Sequence, residues 1–257
     1  MVEQPPPRVP GREHMRRSHR MAGVIAASVA TSVAGVATAS GWAAAATTAK
    51  SSYQAALKAA AAQNVHYVSE ATEQGVGLKV IGDTGKTSGS QVLQVIDGST
   101  TESLKVILVG STGYIRGNDP ALQKVLGLTA AQSATYTNKW LSFPTSNTSL
   151  AELVSGLRDA DVASELEMTG PYTFGATKTI GGQATQAING TAATSSGTKV
   201  PIVLYVSSTG RPVEEVTNPT SKAASIKGTV TFSKWGEATH PKAPASSVPL
   251  IPLLPAA

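Results

Sequence analysis

The chain has 257 residues, 14% of them charged and 5% aromatic, with a formal charge of +5; this length suits one domain of about 200 residues plus tails. Arg8, Arg12, Arg16, Arg17 and Arg20 stand against Glu3 and Glu13 in the first twenty residues, and the rest carries 16 basic and 14 acidic side chains. No clustered cationic stripe remains to neutralise phosphates, which excludes nucleic acid as a partner. The absence of cysteine removes disulfides, thiolate nucleophiles, Cys-ligated metals and a lipoprotein cleavage cysteine together.

Residues 1–20 read as a basic, Pro-containing leader, in which Met15 offers a second start. Between Arg20 and Lys50 lie 29 residues without a charge. A basic segment, an apolar run and small-residue options such as Ala37-Thr38-Ala39 or Ala43-Ala44-Ala45 make residues 21–47 a signal peptide or an N-terminal membrane anchor. The run has no leucine and much Ala, Gly, Ser and Thr, which favours cleavage between about Ser40 and Thr48 over a permanent span. Either way the remainder is expected to be exported, secreted or on the outer face of the cytoplasmic membrane. A retained segment would make the membrane itself a partner. Arg16-Arg17 lacks the following apolar residues that twin-arginine export calls for.

From about Thr48 an Ala-rich helix is expected, with Tyr53, Leu57 and Ala60 at helical spacing. VHYVSEATEQ (65–74), GLKVIGD (77–83), GSQVLQVIDG (89–98), SLKVILVG (103–110) and STGYIRGN then read as successive strands of an antiparallel sheet. Asn118 or Asp119 caps a helix with Pro120 at its first position, and Gly127 closes it. Thr129-Ala-Ala-Gln132 and Ser149-Leu-Ala-Glu152 are capping boxes for two further helices. The last presents Leu150, Leu153, Val154 and Leu157, and Val162 and Leu166 extend it past a break near Asp159. Strands return as YTFGATKTI, GQATQAINGT, KVPIVLYVS, PVEEVTN and KGTVTFSKW. Residues 241–257 form a Pro-rich tail, expected to be extended and poorly ordered, with Leu250, Ile251, Leu253 and Leu254 available to pack.

The order helix, strand meander, helical insertion, strand meander, with GYIRGND…LGL…NKWLSFP and later KVPIVLYVSSTGRPVEEV and GTVTFSKWGE, resembles the LolA/LppX-type lipoprotein-carrier superfamily. The resemblance covers about residues 48–240 and is nearest to the exported relatives common in high-GC bacteria. It departs at Gly113-Tyr114, where the spacing is tighter, at Asn138, which replaces a Gly before Lys139-Trp140, and in lacking a lipidated cysteine. It implies an α+β fold: a curved antiparallel half-barrel with helices over its concave face and an apolar cavity for acyl chains.

Little catalytic chemistry is on offer. Gly82-Asp-Thr-Gly85-Lys86-Thr87 imitates a phosphate loop but lacks its first Gly and a following helix, so a hairpin turn is expected. His66 and His240, the two histidines beyond the leader, come without a nucleophile elbow. Asp159, Asp161, Glu165 and Glu167 follow no cation-loop spacing and read as a solvated helical face. No enzyme activity, catalytic residue, metal or cofactor is expected. What stands out is strands apolar on both faces. Val200, Ile202, Leu204 and Val206 share one face, with Val203 and Tyr205 opposite; Leu104, Val106 and Leu108 share another, with Ile107 and Val109 opposite. An open antiparallel sheet needs only one apolar face. The second calls for cover or for a ligand, which makes Leu104, Val106, Leu108, Ile202 and Leu204 candidate ligand-lining residues, with ordinary core packing as the alternative. The expected function is binding or carrying a lipid-like ligand outside the cytoplasmic membrane, as a monomer. The competing reading is an extracytoplasmic sensor or protein-interaction module whose cavity is not in use.

Overall fold

Thr48 turns the chain into its first element. Its Oγ1 accepts a hydrogen bond from the Ser51 amide at 3.2 Å, satisfying one of the free N–H groups that open helix α1, Ala49–Ala61. Ala49, Tyr53, Ala56 and Ala60 form the buried stripe of α1, the spacing expected of a helix lying on a sheet. The coordinates are a computed structural model and describe residues 48–73, 75–193, 199–217 and 227–254. The leader and the segment 21–47 lie outside the described residues. Among the described residues no helix is long and apolar enough to cross a membrane.

Strands β1 (His66–Glu73), β2 (Val76–Asp83), β3 (Ser88–Asp97), β4 (Thr100–Val109) and β5 (Thr112–Gly117) follow one another as antiparallel neighbours. Helices α2 (Asp119–Lys124) and α3 (Ala130–Tyr136) come next. Asn118 is the cap of α2, with Pro120 one position later than expected, at the second residue of the helix. The Asn118 Oδ1 accepts from the amides of Ala121 and Ser103, and its Nδ2 donates to the Thr101 carbonyl at 2.7 Å. One side chain therefore both starts the helix and ties it to β4. Thr129 and Gln132 form the expected capping box of α3.

Strand β6 (Leu141–Pro144) adds to the outer edge of β5. The chain then runs as a 3-10 turn, Ala151–Val154, and helix α4, Asp159–Glu165, to the opposite end of the sheet. There it enters β7 (Thr169–Ile180), β8 (Gln183–Ala193), β9 (Lys199–Ser207), β10 (Pro212–Thr217) and β11 (Lys227–Ser233). Since β11 pairs with β1, the two meanders fuse into one sheet, which with the short β12 (Val248–Pro249) has 12 strands among the described residues, in the order β12-β6-β5-β4-β3-β2-β1-β11-β10-β9-β8-β7. Its two ends do not meet. The crossover from β6 to β7 is what carries α4 over the concave face.

Two expectations change. The tail is docked rather than loose: β12 (Val248–Pro249) pairs parallel with β6, Leu250 is fully buried, and Gln132 Nε2 donates to the Leu253 carbonyl at 3.0 Å. Its apolar residues outweigh its prolines because β6 would otherwise leave an open edge. The acidic quartet does not form one solvated face, since Asp159 is buried and only Glu167 of the remaining three is fully exposed. Trp140 is half-buried with the Arg116 guanidinium 5.1 Å from its ring, whereas Trp235 packs on the core and donates its indole N–H to the Pro212 carbonyl at 3.0 Å.

Candidate functional site

Alternation along the strands sends one set of side chains to the concave face, and the register aligns them in rows. One row runs unbroken across eight strands: Leu104, Leu93, Val80, Ser69, Val230, Glu215, Leu204 and Ile188. The next runs through Ile115, Val106, Gln91, Gly82, Tyr67 and Phe232. Gly82 is needed there, since a Cβ at that position would stand 2.3 Å from Tyr67 Cζ; the missing side chain is the space the ring occupies.

Over the middle of these rows, the crossover segment and the sheet enclose a cavity of about 50 Å³. Its apolar wall is formed by Val80, Leu93, Val162, Leu166, Val230 and Phe232, and its polar side chains are Tyr67, Ser69, Gln91, Ser155, Glu165 and Glu215. The roof is held by hydrogen bonds that span the chain. Thr84, fully buried in the Gly82–Thr87 turn, accepts from the Val65 amide at 3.0 Å and donates to Asp159 Oδ1 at 2.9 Å. That turn is thus a hairpin connection that anchors α4, with Gly85 bridging to Arg158. Tyr67 donates to Gln91 Oε1 at 2.8 Å, and Gln91 Nε2 donates to the Leu153 carbonyl at 3.2 Å. From α1, the Tyr53 hydroxyl donates to the Leu166 carbonyl at 3.2 Å and accepts from the Met168 amide at 2.6 Å.

The electrostatics of the cavity are one-sided. Among the described residues its lining has two carboxylic acids and no lysine, arginine or histidine. Burial pushes the Glu215 carboxyl up to about 8, and the neighbouring Glu165 charge adds to the shift. Burial also raises Glu165, against the opposing hydrogen bond that Ser155 Oγ donates to it at 3.2 Å. Glu215 Oε2 and Ser69 Oγ are buried without a hydrogen-bond partner among the described residues, although buried polar atoms ordinarily find one.

Leu104, Val106, Leu108, Ile202 and Leu204 all lie on this concave face and are at most 2% exposed. None touches the present cavity, which is lined by other residues. They surround it: Leu104 is the cross-strand neighbour of Leu93, Val106 of Gln91, and Leu204 of Glu215. Leu108 and Ile202 stand one row further out, opposite Gly89 and Thr217. The polar residues of the cavity were not anticipated from the sequence. Their signal was a polar side chain at an inward position of a strand, as in Tyr67-x-Ser69-x-Ala71 and Gln91-x-Leu93-x-Val95.

On the outer face His66 is not arranged as the base of a hydrolytic triad among the described residues. His66 Nδ1 lies 2.8 Å from Asp83 Oδ1, and Ser90 faces Asp83 across β2 and β3. The carboxylate therefore stands between histidine and serine, the wrong order for a histidine that must take the serine proton. Among the described residues no three His, Asp or Glu side chains are grouped to hold a metal ion.

An unclosed, mostly antiparallel sheet with a helical cover on its concave face defines an α+β half-barrel. Among solved structures the chain is similar to LprF from Mycobacterium bovis, at 16% identity, 77% of this chain and 97% of that one covered, and a TM-score of 0.52. Lower-scoring likenesses are the Mycobacterium tuberculosis lipoprotein LppX (16% identity, 75% and 97% covered, TM-score 0.46) and the LolA superfamily protein NE2245 from Nitrosomonas europaea (11%, 76% and 96%, TM-score 0.25). The likeness to LprF is one of fold. No protein-family model matches the sequence, and the curated proteins give no match.

Proposed function

We propose that this protein binds and carries a hydrophobic, lipid-like ligand outside the cytoplasmic membrane, exported by its segment 21–47 and without catalytic activity. The observation that carries this reading is the cavity between the concave face and α4. Its apolar lining and two unpartnered polar atoms are features of a binding site, whereas a sealed core would pair or exclude such atoms. At about 50 Å³ the cavity holds little more than water, while ligand pockets run to about 300–1,000 Å³. Loading therefore requires the roof of residues 145–168 to lift from the sheet. Leu104, Val106, Leu108, Ile202 and Leu204 then become the walls of the enlarged space, since they surround the cavity in register.

The small size of the cavity favours a second reading as well, the interaction module in which no ligand is held. Native mass spectrometry of protein purified from its own host separates the two. The carrier reading predicts a co-purifying lipid of defined mass. Bare polypeptide, with no binding of long-chain probes added afterwards, supports the module.

A further inference from the structure

The cavity's polar groups limit what its ligand can be. Glu215 and Ser69 sit in one line of the sheet, separated only by Val230. Glu215 is 4% exposed and Ser69 2%, and each presents an unpartnered oxygen. Glu165 reaches the same space from α4. The other acid and hydroxyls that line it are Glu165 on α4, Ser155 just before α4 and Tyr67 on β1; Asp161 on α4 and the Tyr53 hydroxyl on α1 stand close enough to act on these groups electrostatically, and there is no cation among the described lining residues. An anion placed there would meet the Glu165 charge in a medium that screens it poorly, and the protonated Glu215 offers no cation to offset it. A group bearing an O–H or N–H would instead donate to the oxygens that now lack partners.

Resting on the carrier reading, we propose that the pair Glu165–Glu215, with Ser69, is a head-group subsite that selects amphiphiles ending in a hydrogen-bond donor, hydroxyl or ammonium, and rejects carboxylates. The raised affinity of Glu215 for its proton agrees with a site that has no cation of its own. Selection here is as much exclusion as attraction: a fatty acid fits the apolar wall equally well and is refused at its head.

The test is displacement of a fluorescent long-chain alcohol by dodecanol, dodecylamine and dodecanoate at neutral pH, on the parent and on the double variant Glu165→Gln, Glu215→Gln. The subsite predicts that dodecanol or dodecylamine displaces the probe at least about tenfold better than dodecanoate, and that the double variant loses most of this preference; which of the two wins identifies the head as hydroxyl or ammonium. Equal displacement by dodecanoate on the parent overturns the subsite but leaves the carrier reading standing. So does a preference that persists in a double variant whose melting curve shows it folded. Failure of the parent to bind the probe or any competitor overturns both. If the double variant does not fold, the single Ser69→Ala variant decides: binding of the favoured head weakened severalfold while dodecanoate is unchanged supports the subsite, and no change for either overturns it.

Discussion

The Thr84 hydroxyl donates to the Asp159 carboxylate at 2.9 Å across 75 residues of sequence, and both side chains are buried. This bond fastens α4 to the β2–β3 turn beside the backbone pairing of Gly85 with the Leu157–Asp159 stretch. Replacing Thr84 with Val keeps the shape but strands Asp159 and the Val65 amide. The expected loss is about 1–3 kcal/mol, or roughly 2–4 °C in melting temperature per kcal/mol for a domain of this size. Hydrogen exchange should show the loosening concentrated in residues 151–166. Uniform loosening across the sheet would mean that the bond does not hold the roof.

The roof also depends on a bare backbone below it. A Cβ on Gly89 would stand 2.2 Å from the Leu157 carbonyl oxygen and 2.9 Å from that of Asp83, neither of which can rotate away. Gly89→Ala should therefore destabilise by about 1–3 kcal/mol through overpacking. Gly77→Ala is its control, because there the nearest atom is Ile96 Cβ at an ordinary 3.6 Å. Equal melting temperatures for the two variants would contradict the placement of the crossover.

Stability should fall as pH rises, the reverse of an ordinary ion-paired carboxylate. Glu215 holds its proton to about pH 8 in the folded protein, against 4.5 for an unperturbed glutamate. Between these values the folded state binds more protons than the unfolded state, so unfolding free energy decreases with pH across that window and levels off above it. Glu165 and Asp161, also raised, act in the same direction. Melting curves from pH 5 to 8 should show this decline, and Glu215→Gln should flatten it. A parent that is most stable at pH 8 would contradict the buried, unpaired carboxyl.

The two tryptophans outside the leader region should answer differently to removal. Trp235 packs beside Phe232, with ring centroids 6.1 Å apart, and donates a hydrogen bond; Trp235→Ala should cost about 2–4 kcal/mol, the lower part of the range for large-to-small changes because the ring is only half-buried. Trp140 contributes a cation–π contact with Arg116 on a partly exposed surface, so Trp140→Ala should cost about 1 kcal/mol. Thermal denaturation of both variants checks the ranking.

Strands, caps and the break before α4 were legible because each is a local matter. Thr48, Asn118 and Thr129 cap through bonds within three residues of themselves, and period-2 alternation marks β1 to β5 without reference to anything distant. That Leu104, Val106 and Leu108 share one face of β4, and Ile202 and Leu204 one face of β9, was legible for the same reason. The cavity was not. It depends on the register that sets Ser69 beside Val230 and Glu215 beside Leu204, and register between β1 and β11 joins residues over 150 positions apart. The buried roles of Asp159 and Glu165 were hidden likewise, since a short acidic helix looks solvated until its packing partners are known. The docked tail depended on an open edge at β6 that no local pattern announces.

In the carrier reading a chain-like ligand enters between the roof and the concave face. The direct measurement is photo-crosslinking with a long-chain alcohol carrying a diazirine at its far end, followed by mapping of labelled peptides. Label is expected on peptides of β3, β4 and β9 bearing Leu93, Leu104 or Leu204, competed away by unlabelled alcohol. Label confined to the exposed Phe174 and Ile96, or label that no competitor removes, would contradict it.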